Sequence, residues 1–297
     1  MTKSSLSHAF FNITHYGKRY GFSKQFRVII HYSYIVLKKF FPTKKSLLQV
    51  NGYNILIMPD DPGISQELQT FKTHEPLSTQ LIAKELKPGM TCLDIGSNIG
   101  YYVLLENKII GKNGKVIAIE PSPYNFQCLQ KNLELPENSN VKAYNFAAGD
   151  IDGEIRFFVN ERSNGCLVLN EGRKIPNRPG KIINVPIKTM DNFVKEQKLQ
   201  QLDFVRMDVE GYEYNIFEGM KNTIEKFRPF IQIEVHKSHM GPEKTKKFFE
   251  FFKNYEYEVK SYHPRELDLP LIGTSNDIKN FKIKKCLKTV HCQTISI

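Results

Sequence analysis

The chain reads as an α/β protein with a mostly parallel central sheet flanked by helices, and three observations predict it. Short β-branched or aliphatic runs alternate with helix-like stretches from Thr91 to about Val235, the pattern of strand, crossover helix and parallel strand. Two of those runs end in an acid followed by a turn, Asp94 ahead of Gly96 and Glu120 ahead of Pro121. Finally, 297 residues with 40% hydrophobic and 25% charged side chains have the balance of one globular core with a small appendage.

The expected strands of the sheet are residues 91–95, 115–120, 141–146, 202–208 and 229–235. Between them, Phe126, Leu129 and Leu133 share one helical stripe. So do Ile216, Phe217, Met220, Ile224 and Phe227, which predict a helix over 212–226. Residues 154–159 and 182–188 alternate at period two around the Gly/Pro/Asn-rich stretch 164–180, an inserted β-hairpin whose long loop is placed to cover a site. Upstream, 51–58 reads as a strand and 60–86 as a loop plus helix stopped by Lys87-Pro88-Gly89. Residues 256–262 and 289–297 read as closing strands. Residues 1–50 form a basic amphipathic extension and 51–297 the main domain.

Charge is distributed unevenly. Of the net +11, residues 1–59 carry nine Lys/Arg and no acid, and 278–297 carry five Lys and no acid, leaving 28 basic against 31 acidic residues between. Phe26, Ile29, Ile30, Val36, Leu37 and Phe40 share a helical face opposite Lys24, Arg27, His31 and Lys38. Such a helix either packs on the domain or lies peripherally on an anionic membrane through residues 1–45. Nucleic acid is the disfavoured partner, because no RNA-binding signature accompanies the basic segment. No apolar run is long enough for a transmembrane helix, and the first dozen residues lack the apolar core of a secretory signal. Cys92, Cys128, Cys166, Cys286 and Cys292 are odd in number and include no C-x-x-C pair, which excludes a disulfide framework and a cysteine zinc site. A cytoplasmic protein is expected, peripheral to the inner membrane face if the basic helix binds there.

The chemistry concentrates at strand ends. Residues 92–102 run from an apolar strand through Asp94, Gly96, Asn98 and Gly100 into a helix. Glycines suit a loop that a ligand approaches closely, and a helix N-terminus suits an anionic group. The spacing matches neither the dinucleotide fingerprint nor the phosphate loop. Glu120 ends the next strand, 26 residues after Asp94, where a carboxylate can accept hydrogen bonds from vicinal ribose hydroxyls. Glycine loop plus acid is therefore a nucleoside site without a pyrophosphate requirement.

These motifs, with Asp60-Asp61-Pro62-Gly63, His74-Glu75-Pro76, Asn145-Phe146-Ala147-Ala148-Gly149-Asp150, Asp208-Val209-Glu210-Gly211-Tyr212-Glu213 and Ile233-Glu234-Val235-His236, resemble the FkbM family of S-adenosylmethionine-dependent methyltransferases over roughly residues 55–240. Ser97 stands where that family usually has Ala, and Arg206 where it usually has Lys. The resemblance implies a Rossmann-like methyltransferase fold and S-adenosylmethionine as cofactor. Asp94 would then stand near the donor's ammonium, the Gly96–Asn98–Gly100 turn near its carboxylate, Glu120 at the ribose and Ala147 at the adenine. It further implies O-methyl transfer, with a hydroxyl on a saccharide, glycolipid or related small molecule as acceptor.

For the reaction itself, Glu234 and His236 leave one strand on the same face, and Asp208 ends the neighbouring one. Removing a hydroxyl proton suits a histidine, so His236 is the first candidate base, with Asp208 or Glu234 to orient or replace it. No metal is expected, although Asp208, Glu234 and His236 also form an O/O/N set able to ligate a divalent ion. Glu75 either reaches over the pocket or caps the helix after Pro76. Base methylation is disfavoured, since Asp208-Val209-Glu210-Gly211 replaces the [DN]-P-P-[YF] of amino-group enzymes and no Pro-Cys exists. The alternatives are an RNA-directed methyltransferase and a donor-binding module without catalysis.

Overall fold

The computed structural model describes residues 46–58, 61, 63–134, 138–160, 164–170, 172–258, 260–264 and 293–296. The expected basic helix of residues 1–45 lies outside the described residues, as do Cys286 and Cys292. The chain divides into two compact units, Met1–His74 and Glu75–Ile297.

In the first unit, β1 (Ser46–Val50) and β2 (Tyr53–Ile57) pair antiparallel. The strand expected at 51–58 is thus the second arm of a hairpin. Asn51 and Gly52 form its turn with φ of 49° and 77°, the conformation that an Asn-Gly pair tolerates best. Helix α1 (Ile64–Phe71) follows, and Asp61 accepts from the amides of Gly63 and Ser65 at its start.

The second unit begins with α2 (Pro76–Glu85), then β3 (Thr91–Ile95), α3 (Tyr101–Ile110), β4 (Lys115–Ile119), α4 (Pro123–Leu133) and β5 (Val141–Tyr144). An insertion follows: β6 (Ala147–Gly149), β7 (Gly153–Asn160), β8 (Leu167–Val168) and β9 (Gly180–Thr189). Then come α5 (Met190–Glu196), β10 (Phe204–Met207), α6 (Glu213–Glu218), α7 (Lys221–Phe227), β11 (Phe230–Val235), α8 (Lys237–Met240), α9 (Pro242–Asn254), β12 (Ser261–Pro264) and β13 (Gln293–Ser296).

The main sheet has the order β12-β13-β11-β10-β3-β4-β5. Its five strands β5, β4, β3, β10 and β11 are parallel, while β13 and β12 close the edge antiparallel. The chain steps from β3 outward to β4 and β5, then returns to β10 on the other side of β3. That reversal opens a crevice at the carboxyl ends of β3 and β10, where ligands bind in open α/β sheets. The inner strands β4, β3, β10 and β11 are buried on both faces and read as near-continuous apolar runs, while the edge strand β5 is only partly buried.

The expected hairpin is β7 and β9, joined by β8 and β6 into a separate four-stranded sheet. The helix expected over 212–226 is instead two, α6 and α7. At the break a Cβ on Gly219 would lie 1.9 Å from the carbonyl oxygen of Gly149, so only glycine allows the backbones to meet. Asp191 then caps α7 from α5, accepting from the amides of Asn222 and Thr223 at 3.1 and 2.7 Å. A helix start satisfied from another element needs no continuous turn before it.

On one side of the sheet Phe217 packs edge-on against Phe248, Phe251 and Phe252, with centroids 4.9–5.3 Å away. Phe217 is fully buried, and Phe217→Ala should lower the unfolding free energy by about 3–5 kcal/mol. Urea denaturation measures this, and an unchanged midpoint would show that α9 does not rely on that cluster.

Candidate functional site

The crevice is organised by one buried cation. Arg206 on β10 stands opposite Asp94 on β3. Its Nη1 lies 3.4 and 3.5 Å from the two Asp94 oxygens and 3.3 Å from the Gly96 carbonyl, while its Nη2 donates to Asp208 Oδ2 at 3.1 Å. Its guanidinium carbon lies 4.1 Å from the centroid of the Tyr102 ring, and the Tyr102 hydroxyl donates to Glu75 Oε2 at 2.9 Å. Burial disfavours the Arg206 charge, but Asp94 and Asp208 outweigh it and push its pKa upward. Glu75 does not cap α2 through its side chain, so the reading of it as a reach over the pocket is the one the geometry favours.

Asp94 is fully buried and its carboxylate is paired with Arg206. A Cβ on Gly96, at φ 84°, would lie 1.9 Å from the Asp208 carbonyl oxygen, and one on Gly100, at φ 96°, 2.7 Å from Leu129. At Gly96 the obstacle is backbone, so the turn's own packing already demands glycine there, while at Gly100 it is the end of a side chain.

Glu120 sits where its motif places it. Its Oε2 accepts from the Asn98 amide at 2.7 Å and its Oε1 from the Ser122 amide at 2.8 Å. Asn98 holds a left-handed conformation, φ 51°, that aims this amide. Burial raises the Glu120 pKa to about 7, against the pull of those two N–H groups and with Asp94 adding to the rise. The inserted sheet reaches this loop: the Asn98 side-chain amide donates to Asn164 at 3.1 Å, and Cys166, its thiol pushed up to about 11 by burial, feels the Glu120 charge. Ala147 is buried in β6 and pairs with Ile187.

At the ends of β10 and β11 the candidate reaction residues converge. His236 Nδ1 is 2.8 Å from Glu213 Oε1, which also accepts from the Gly211 amide at 2.9 Å. That contact makes Nδ1 the donor and directs Nε2 toward Glu210 Oε2, Glu234 Oε1 and Asp208 Oδ1, at 3.6, 3.7 and 3.9 Å. His239 stacks on His236 with centroids 5.8 Å apart, and Arg173 from the insertion donates to the Glu210 carbonyl. Asp208 and Glu234 line a small polar cavity with Glu75, Tyr102, Arg206 and Gln232. Sequence reasoning grouped Asp208, Glu234 and His236 correctly in space. It assigned no role to Glu213, to Tyr102 or to Arg206; the signal for Glu213 was its place in the first turn after Asp208-Val209-Glu210-Gly211.

A parallel sheet that reverses direction at β3, with Glu120 past the end of β4 and a polar cluster at the ends of β10 and β11, defines a domain of the doubly wound class. The Methyltransferase FkbM domain matches residues 94–259, and the chain belongs to the FkbM family of S-adenosylmethionine-dependent methyltransferases. Similar proteins include the hexuronic acid methyltransferase AglP of Haloferax volcanii, 25% identical over 53% of this chain and 60% of that protein. The 2-O-methyltransferase NoeI of Sinorhizobium fredii is 24% identical over 58% of this chain and 72% of that protein. Among solved structures, a methyltransferase FkbM from Methylobacillus flagellatus aligns with a TM-score of 0.43 and 13% identity, covering 74% of this chain and 58% of that one. The chain spans about 60% of the length of AglP.

Arg206→Ala should cost about 3–5 kcal/mol, because it leaves Asp94 buried without its partner. Arg206→Lys should recover most of this in denaturant unfolding. Equal stability of the Ala variant and the native chain would mean that the ion pair contributes nothing to the fold.

Proposed function

We propose that this protein transfers the methyl group of S-adenosylmethionine to a hydroxyl oxygen of a saccharide, glycolipid or related small molecule. The observation that carries the reading is the convergence of His236, Asp208 and Glu234 at the ends of β10 and β11, beside the Gly96 turn that packs on the Asp208 carbonyl. Two relatives, a hexuronic acid methyltransferase and a 2-O-methyltransferase, support a sugar-like acceptor.

The residues fit the donor on two counts. Glu120 is a buried carboxylate whose two oxygens each take one backbone N–H, leaving acceptor capacity for vicinal ribose hydroxyls. Helix α3 starts beside it without a side-chain cap, a setting that suits the donor's own carboxylate. When bound, the sulfonium supplies an electrophilic methyl group and leaves as a neutral thioether. The acceptor oxygen forms the new C–O bond, and its proton passes to the cluster of His236, Asp208 and Glu234. Glu213 holds the His236 ring so that Nε2 faces this exchange.

The carboxylates Asp208, Glu210, Glu213 and Glu234 surrounding His236 favour a neutral hydroxyl over a bare anionic acceptor. Labelled methyl transfer into a panel of neutral saccharides and lipid-linked sugars is the direct test. His236→Ala should lower kcat by roughly 10²–10⁴-fold with donor affinity retained. Normal turnover in that variant, or label appearing only in RNA or protein, would overturn the assignment.

A further inference from the structure

The acceptor cluster carries more than a proton-accepting role requires. Asp208, Glu234 and His236 each present one ligand atom, and these atoms lie within 4.8 Å of one another. Ligands about 2.0–2.2 Å from a single ion span nearly that distance when they are opposite one another. His236 is buried and held through Nδ1 by Glu213, itself fully buried, so that Nε2 points at the two carboxylates. This carboxylate–imidazole arrangement recurs behind metal-bound histidines, where the outer carboxylate fixes the ring and its tautomer.

A second, independent observation comes from Gln232. It lies two residues before Glu234 on β11, is 3% exposed, and lines the same cavity as Asp208 and Glu234. Its Oε1 is buried and has no hydrogen-bond partner. A buried amide oxygen left without a donor is costly, and it suits an ion or an ion-bound water in that cavity. The charge balance points the same way. Asp208, Glu210 and Glu234 all face His236 Nε2, while Arg206 is shared between Asp94 and Asp208 and engages only Oδ2 of the latter. Asp208 Oδ1 is the oxygen turned toward His236.

We propose that Asp208, Glu234 and His236 bind one divalent cation, with Gln232 at the edge of its coordination sphere. Two carboxylates, one imidazole and an amide oxygen suit a hard or borderline ion such as Mg²⁺ or Mn²⁺ that keeps waters for exchange. Those exchangeable positions would take the acceptor's oxygens, and vicinal hydroxyls of a sugar could replace two waters at once. The cation would also offset the carboxylates that otherwise repel an acidic acceptor. The inference rests on the reading of this cluster as the acceptor end; with the ion bound, His236 Nε2 is a ligand and the hydroxyl proton passes to Glu210, the neighbouring carboxylate outside the ligand set.

Mn²⁺ binding to the full chain, in the absence of donor and acceptor, tests the site through calorimetry and the loss of the free-ion paramagnetic resonance signal. One Mn²⁺ per chain should bind, with Mg²⁺ competing for it. Glu234→Gln and Asp208→Asn should each weaken Mn²⁺ at least tenfold, and Glu213→Gln by roughly 10–100-fold through loss of the outer carboxylate. Glu196→Gln, at an exposed acid on α5, should leave binding unchanged. Thermal melts confirm that each variant is folded, and Gln232→Leu provides a second route that spares the charges; it should weaken Mn²⁺ while Gln232→Asn partly restores it. No uptake of Mn²⁺ by the native chain, or equal uptake by the Asp208→Asn and Glu234→Gln variants, would overturn the proposal. A site that takes Zn²⁺ and refuses Mn²⁺ would overturn the choice of ion. Because no methyl transfer is measured, failure here leaves the transfer reaction standing, and failure of transfer leaves a positive Mn²⁺ result intact.

Discussion

The crevice of this protein depends on a buried arginine shared by two carboxylates. Arg206 sits on β10 with Asp94 beside it on β3 and Asp208 just past its own strand end. Neither strand could carry its charge into this interior alone, since a buried carboxylate or guanidinium without a partner is too costly. Paired, they draw the two strand ends together so closely that Gly96 must lack a side chain where it meets the Asp208 carbonyl. The same cation lies over Tyr102, whose hydroxyl is bonded to Glu75, so α2 and α3 are tied to the strand ends they flank.

The two halves of the site have opposite character. The Glu120 half is a single buried acid stitched by backbone amides, with a pKa raised to about 7. The His236 half is a cluster of carboxylates around an imidazole whose orientation is set by Glu213. The inserted sheet touches both. Asn164 bonds to Asn98 near the first, and Arg173 bonds to the Glu210 carbonyl near the second. An element that contacts both loops is well placed to couple their positions, which gives the insertion a reason to exist beyond packing.

Much of the architecture was legible because parallel strands buried on both faces must be apolar runs, and their carboxyl ends must carry the polar chemistry. That logic located Asp94, Glu120, Asp208, Glu234 and His236 at the crevice from their positions alone. What remained hidden depended on contacts between distant segments. Arg206 stood out only as a departure from a family pattern, and nothing local says that its charge is divided between β3 and the β10 loop. Asp94 reads from the sequence as a strand-end acid, and its pairing with Arg206 across the sheet is a contact that no local pattern shows. Gly219 interrupts a good helical stripe because the backbone at Gly149 passes against it, a tertiary constraint that periodicity does not register. Strands as short as β6 and β8, three and two residues long, leave no pattern to read.

The proposed donor site turns on Glu120, the buried carboxylate proposed to receive the donor's ribose. Its folded pKa of about 7 lies above the ordinary value of 4.5, so below pH 7 the group is largely the neutral acid and above it the carboxylate. Hydroxyl donors favour the carboxylate, which puts the gain in affinity on the alkaline side. Calorimetric titration of S-adenosylmethionine into the native chain and into Glu120→Gln at pH 6 and pH 8 compares the two forms. The account predicts affinity rising roughly tenfold more in the native chain than in the variant, in step with the ionised fraction of Glu120. The same pH dependence in both proteins, or undiminished binding by Glu120→Gln at pH 8, would contradict it.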